Sequence, residues 1–255
     1  MNDNIVFEFP LSERIRVFMR LEQLFLQIDH FMEGNSVWDS RAVISTLLDI
    51  LTISSRNDLK SEILKELDRH SSVLIRISQD EGVDLNKLKS ILDELGTISK
   101  GLYAISGKIG LSLMESELFK SISQRSSIPG GTCAFDLPEY HYWLKRKDSR
   151  RYKDLEHWIQ PFTTIRQAID LILRFIRQSS MPSQEIAKSG FYQKSLDRDL
   201  PYHLLRVSIH RTLPYFAEIS GGKHRFTVRF MVAIDSERSS QASDDINFEL
   251  TRCLF

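Results

Sequence analysis

Arg225 and Arg229 are the residues whose type and spacing most directly offer chemistry. In the segment that holds them, Phe226, Val228, Phe230 and Val232 alternate with Arg225, Thr227, Arg229 and Met231. A period of two is the pattern of a strand with one buried face and one wet face. Both guanidinium groups therefore point the same way, about 13–14 Å apart along the strand. Guanidinium forks bind carboxylates through paired hydrogen bonds, so such a face can dock a carboxylate-bearing peptide. Arg206, in a second alternating segment, and Lys223, just before the first, are candidates to join them. The same pattern also describes a merely solvated strand face, and spacing alone leaves both readings open.

A second basic group is the run Lys145-Arg146-Lys147-Asp148-Ser149-Arg150-Arg151-Tyr152-Lys153, between two helical patterns. Phosphate backbones attract such runs, but single-stranded nucleic acid also wants stacking surfaces, and only Tyr152 offers one here. A solvated loop leading into a helix is the expected state, with a nucleic-acid-binding protein using residues 145–153 as the alternative function.

Catalytic signatures are missing. There is no GxxxxGK[ST], GxGxxG, HExxH or GxSxG. Ser220-Gly221-Gly222-Lys223 resembles a phosphate loop only superficially, because its glycines precede a strand and a phosphate loop must open a helix. No two of the seven histidines are spaced i, i+4 on a helix; His203, His210 and His224 fall in the strand-rich part. A protein without enzymatic activity, cofactor or metal is the expectation. Cys133 and Cys253 have neither CxxC nor zinc spacing and fit two free thiols in a reducing cytosol.

With 34 Lys plus Arg against 34 Asp plus Glu, the formal net charge is zero. No global field draws the chain to nucleic acid or a membrane. No stretch reaches the roughly 18–20 apolar residues of a membrane span, and the first residues lack a signal-peptide pattern.

The elements that must position these residues fall into two classes. Ile5 to Phe9 reads as a short strand stopped by Pro10. Ser12 is a candidate N-cap for a helix with Ile15, Phe18, Met19, Phe25 and Ile28 at helical spacing. Further helices follow from Ser36, Asp58 (with Leu59, Ile63, Leu67, Leu74 and Ile77 on one side) and Asp84 (with Leu85, Leu88, Leu92 and Leu95 inside). Helical pattern continues to Gln124, interrupted around Gly107 and Gly110, and returns from Glu139 to about Ser180. Thr132 to Leu137 reads as a short strand. After Met181-Pro182 the period switches to two. The fold class is α+β, with segregated elements: a mainly helical domain over 11–180, with a short strand near 132–136, and an antiparallel β-sandwich-like domain over 181–255 plus 1–10.

Several segments, in order along the chain, resemble the ZapD family of FtsZ-associated cell division proteins. They are Val6-Phe7-Glu8-Phe9-Pro10-Leu11, Glu62 to Arg69, the run Ser127 to Pro138, and His141 with Trp143-Leu144. Ile176 to Ser179, Gly190 to Gln193, Ile219-Ser220-Gly221 leading to His224 through Met231, and Phe248-Glu249-Leu250 complete the set. The resemblance implies a helical domain joined to a β-sandwich-like domain, a symmetric homodimer, binding to the acidic and apolar C-terminal tail of FtsZ, and bundling of FtsZ filaments at midcell. It carries the family's basic pocket onto Arg225 and Arg229, and extends it to Arg20, Arg56 and His141. Glu117 stands where the resemblance leads one to expect a basic residue, which leaves open how far the pocket reaches toward that helix.

Overall fold

A computed structural model describes residues 3–56, 58–78, 84–222, 224–232 and 239–254. The chain divides into two compact units, one of Met1–Val17 with Leu173–Phe255 and one of Phe18–Ile172.

The first strand is β1 (Asn4–Pro10), followed by α1 (Glu13–Met32). Ser12 caps α1 as its sequence suggests, accepting from the Ile15 N–H at 3.4 Å. The helical unit continues with α2 (Val37–Arg56), α3 (Leu59–Ile77) and α4 (Leu85–Ala104). Asp58 caps α3 by accepting from the Ser61 N–H, and Asp84 caps α4 by accepting from Asn86 and Lys87, satisfying amides that a helix start leaves without partners. The glycines at 107 and 110 interrupt the pattern as expected, before a 3₁₀ turn at Leu111–Glu115 and α5 (Glu117–Arg125). Then come α6 (Pro138–Leu144), α7 (Asp148–Ile159) and α8 (Thr163–Gln178). Pro161 lies in the 3₁₀ turn that joins the last two.

Two sequence expectations fail in the helical unit. Residues 132–136 form no strand. Successive turn bonds, Gly131 N–H to Ile128 O, Cys133 to Gly130 O and Asp136 to Cys133 O, coil the segment, and Phe135 stands 84% exposed. Leu85 is not inside α4: it is 63% exposed, as are Ile75 (54%) and Ile77 (39%) at the end of α3. Leu59, Ile63 and Leu67 on α3, and Leu88 and Leu95 on α4, are buried as expected.

The basic run also changes character. Arg151 is buried, and its guanidinium donates to Ser40 Oγ and to the carbonyls of Asn35, Leu144 and Arg146. One member of the run therefore ties α7 to the start of α2 and is not solvated.

The other unit is a sandwich of two antiparallel sheets. The strands are β2 (Ser183–Ala187), β3 (Phe191–Ser195), β4 (Tyr202–His210), β5 (Tyr215–Gly221), β6 (Arg225–Val232), β7 (Ser240–Gln241) and β8 (Ile246–Leu254). One sheet has the order β1-β4-β8-β2; the other is β3-β6-β5, with β7 pairing the end of β6. Val207, Ile209, Phe226, Val228, Phe230, Phe248 and Leu250 fill the space between them. Phe230 and Phe248 meet at 5.2 Å across the sheets, and the Tyr192 ring meets Phe248 edge-on at the same distance. Aromatic pairs at this separation add stability beyond burial.

Candidate functional site

The β5–β6 hairpin and the neighbouring β3 present the sandwich's second sheet to the outside. Burial along β6 alternates strictly from Arg225 to Phe230, with Phe226, Val228 and Phe230 inward and Arg225 and Arg229 exposed. Antiparallel register fixes their neighbours. Arg225 lies opposite Ser195 of β3. Thr227 lies between Gln193 of β3 and Ser220 of β5. Arg229 lies between Phe191 of β3 and Glu218 of β5. Met231 faces Phe216. Among the described residues, neither arginine side chain has a hydrogen-bond or ion-pair partner. A groove of about 570 Å³ runs over this face, lined by Gln193, Ser220, His224, Arg225, Thr227 and Arg229. Gly221 closes the hairpin against β6: a Cβ there would stand 2.7 Å from Phe226 Cβ, so a larger residue would displace the turn from β6.

Arg206 is not part of this face. It sits on β4, in the other sheet, opposite Glu8 of β1, and points away from the sandwich interior. Its Nε donates to Glu8 Oε1 at 2.9 Å, and Arg177 from the last turn of α8 donates to both Glu8 oxygens at 2.8 to 3.2 Å. Sequence alternation placed Arg206 on a wet face correctly, but the strand belongs to the opposite sheet and the charge is already matched. Beside this cluster, Cys253 is fully buried, and burial pushes its thiol up to about 11.

Lys223 lies outside the described residues. Arg56 ends α2, and its side chain is not described. Arg20 on α1 and His141 on α6 are exposed in the helical unit. Glu117 opens α5 and pairs loosely with Lys120 at 3.7 Å. The structure thus brings Arg225 and Arg229 together on one face, separates Arg206 from them, and places Arg20, Arg56 and His141 in the other unit.

Sequence reasoning missed Phe191, Phe216 and Glu218 on the outward face of the second sheet, while alternation had already set Met231 there. The alternation of Phe191, Gln193 and Ser195 with Tyr192 and Lys194 was available to signal the first. The others need the register of β5 on β6. Among the described residues, no cluster of His, Cys, Asp or Glu is arranged to hold a metal, and no helix is long and apolar enough to cross a membrane.

Fold and site together define a two-unit α+β protein whose sandwich carries an exposed basic face, unpaired among the described residues. The ZapD family profile, described as a cell division protein, matches residues 19–229. A Methylococcus capsulatus protein named Cell division protein ZapD is 50% identical over 254 residues, covering 100% of both chains. Proteins of the same name from Azoarcus sp. and Aromatoleum aromaticum are 39% and 37% identical over 249 residues, covering 98% of this chain and 99% and 97% of theirs. The chain belongs to the ZapD family of cell division proteins, and its role is in cell division.

Proposed function

We propose that this chain is a non-enzymatic cytoplasmic adaptor that binds the acidic, apolar C-terminal tail of FtsZ, crosslinks FtsZ filaments as a homodimer, and thereby supports Z-ring assembly at midcell. The observation that carries the reading is the pair Arg225 and Arg229, exposed on one strand face with no carboxylate of the described residues engaged. Charge-assisted hydrogen bonds to tail carboxylates are the natural use of such a pair. Arg20, Arg56 and His141 are the helical unit's contributors to tail binding, each to be tested singly. One exposed groove gives a weak, salt-screened contact. Two grooves per dimer, facing filaments that display many tails, gain about 10²–10⁴ in avidity, and one groove on each filament is a crosslink. The exposed apolar side chains Ile75, Ile77 and Leu85 support a self-association surface.

The nucleic-acid alternative draws on fewer cations than the basic run suggested. Arg151 is buried and Arg146 pairs with Asp154 at 3.3 Å, leaving Lys145, Lys147, Arg150 and Lys153.

Sedimentation of GTP-assembled FtsZ tests the proposal. Co-pelleting and bundling with full-length FtsZ, lost when its C-terminal tail is removed, is the expected result. No co-pelleting with either form at low salt would overturn it and make DNA binding the next experiment.

A further inference from the structure

We infer that the outward face of the second sheet has a direction: it takes an extended peptide with its carboxylates at the hairpin end, over Arg225, and its apolar side chains at the far end, over Phe191, Phe216 and Met231, with Glu218 marking the boundary. This deepens the tail-binding reading and rests on it.

The register carries the inference. Along β6 the outward rows are Arg225, Thr227, Arg229 and Met231, each about 6–7 Å from the next. The face is therefore about 20 Å long, the span of roughly six extended residues. The Arg225 row has Ser195 on one side and the Gly221-Gly222 turn on the other, with Gly222 N–H bonded to the Arg225 carbonyl. His224 precedes it, and neither flanking strand places an acid in that row. Asp197, two residues beyond Ser195, spends a carboxylate oxygen on the Asp199 N–H in its own turn. A ligand carboxylate meets an unopposed guanidinium here.

At the Arg229 row the surroundings differ. Phe191, 38% exposed, lies directly opposite on β3, and Glu218 lies directly opposite on β5. Facing side chains in such pairs stand about 4.5–5.5 Å apart at Cβ. A carboxylate brought to Arg229 would also be brought beside the Glu218 carboxylate, which is exposed and unpartnered among the described residues. Like charges so placed repel. One row further on, Met231 lies between Phe216 of β5 and the exposed Gln241 of β7, whose amide donates to the Ser189 carbonyl. Phe191 sits diagonally from Met231 within reach of a large side chain. Phe216 and Met231 are half-buried. The face thus grades from cationic at the hairpin to apolar at the other end. An extended chain that is acidic in one part and apolar in another matches it in only one direction.

Photocrosslinking of the full chain with FtsZ tail peptides tests the direction, with a photoreactive leucine analogue placed either among the tail's apolar residues or next to its carboxylates. The expected result is attachment of the apolar probe around Phe191 and Tyr215–Glu218, and of the acidic probe around Ser220–Thr227. The reverse pattern would overturn the direction while leaving tail binding standing. Failure of the wild-type chain to bind the peptide at low salt would overturn both readings. In parallel, Glu218→Gln is expected to tighten peptide binding about 3–10-fold, a gain that a merely structural residue does not produce. Phe191→Ser is expected to weaken it about 10-fold, but to leave unchanged the binding of a peptide whose apolar residues are replaced by serine. Unaltered melting temperatures show that both variants fold. Unaltered affinity in both variants would overturn the inference.

Discussion

The two outward faces of the sandwich both carry arginines on strands of the same period, yet they use them in opposite ways. On the first sheet, Arg206 and α8's Arg177 converge on Glu8, whose side chain is only 17% exposed, and Leu204 and Cys253 are buried alongside. On the second sheet, Arg225 and Arg229 stand exposed with no partner among the described residues. Strand alternation marks both as polar faces. What separates them is whether the charge is already compensated, since a matched, partly buried cluster holds the fold together and an unmatched exposed pair is available to a ligand.

The largest effect should come from removing the available pair. Arg225→Glu with Arg229→Glu is expected to weaken FtsZ tail binding by about 10–100-fold, most of it from Arg225, whose charge-assisted contact contributes roughly 1.5–3 kcal/mol, with an unchanged melting temperature. Fluorescence anisotropy of a labelled tail peptide alongside thermal melts would check it.

The mirror experiment is Glu8→Ala on the first sheet. It leaves two guanidinium groups facing each other without their anion and should cost about 2–3 kcal/mol of stability, less than a fully buried pair because the cluster is partly wet. Tail affinity of the folded protein should not change. Urea midpoints give the first quantity and peptide titration the second.

A third test asks whether the covered face is sealed. The Cys253 thiol, raised from 9.0 to about 11 by burial, holds its proton longer in the folded state than in the unfolded chain. Its contribution is therefore fully present below pH 9 and is lost as pH rises from 9 through 11, on the order of 2 kcal/mol. Wild type should lose more stability than Cys253→Ala between pH 8.5 and 10.5 in urea titrations. By the same logic, iodoacetamide at neutral pH should alkylate exposed Cys133 and spare Cys253. The smallest effect is ionic: raising salt from about 50 to 300 mM should weaken tail binding several-fold, because the pair is exposed, and hardly touch the Glu8 cluster.

Much of the fold was legible in the residues. The switch from helical to alternating period separated the helices from the sandwich, and Ser12, Asp58 and Asp84 announced three helix starts because short polar side chains satisfy free amides there. Other features depend on contacts that no local pattern encodes. Thr132 to Leu137 has strand-like composition, but a glycine pair and consecutive turn bonds coil it. Leu85 fits the stripe of α4, yet nothing among the described residues buries it. Arg151 sits in a basic run and is nonetheless consumed by Ser40 and three carbonyls. For the site, Arg225 and Arg229 could be read from alternation alone. Arg206 could not be excluded without knowing that β4 pairs with β1 and not with β6. Glu218, Phe216 and Phe191 acquire meaning only through the register that sets them beside Arg229 and Met231.

On the proposed function, the second sheet's arginines bind the tail and the first sheet's do not. Titrating one labelled FtsZ tail peptide into wild type, Arg225→Ala and Arg206→Ala, side by side at low salt, tests it most directly. At least a roughly tenfold loss is expected for Arg225→Ala, with wild-type affinity for folded Arg206→Ala. Equal affinities for wild type and Arg225→Ala, or a loss confined to Arg206→Ala, would contradict it.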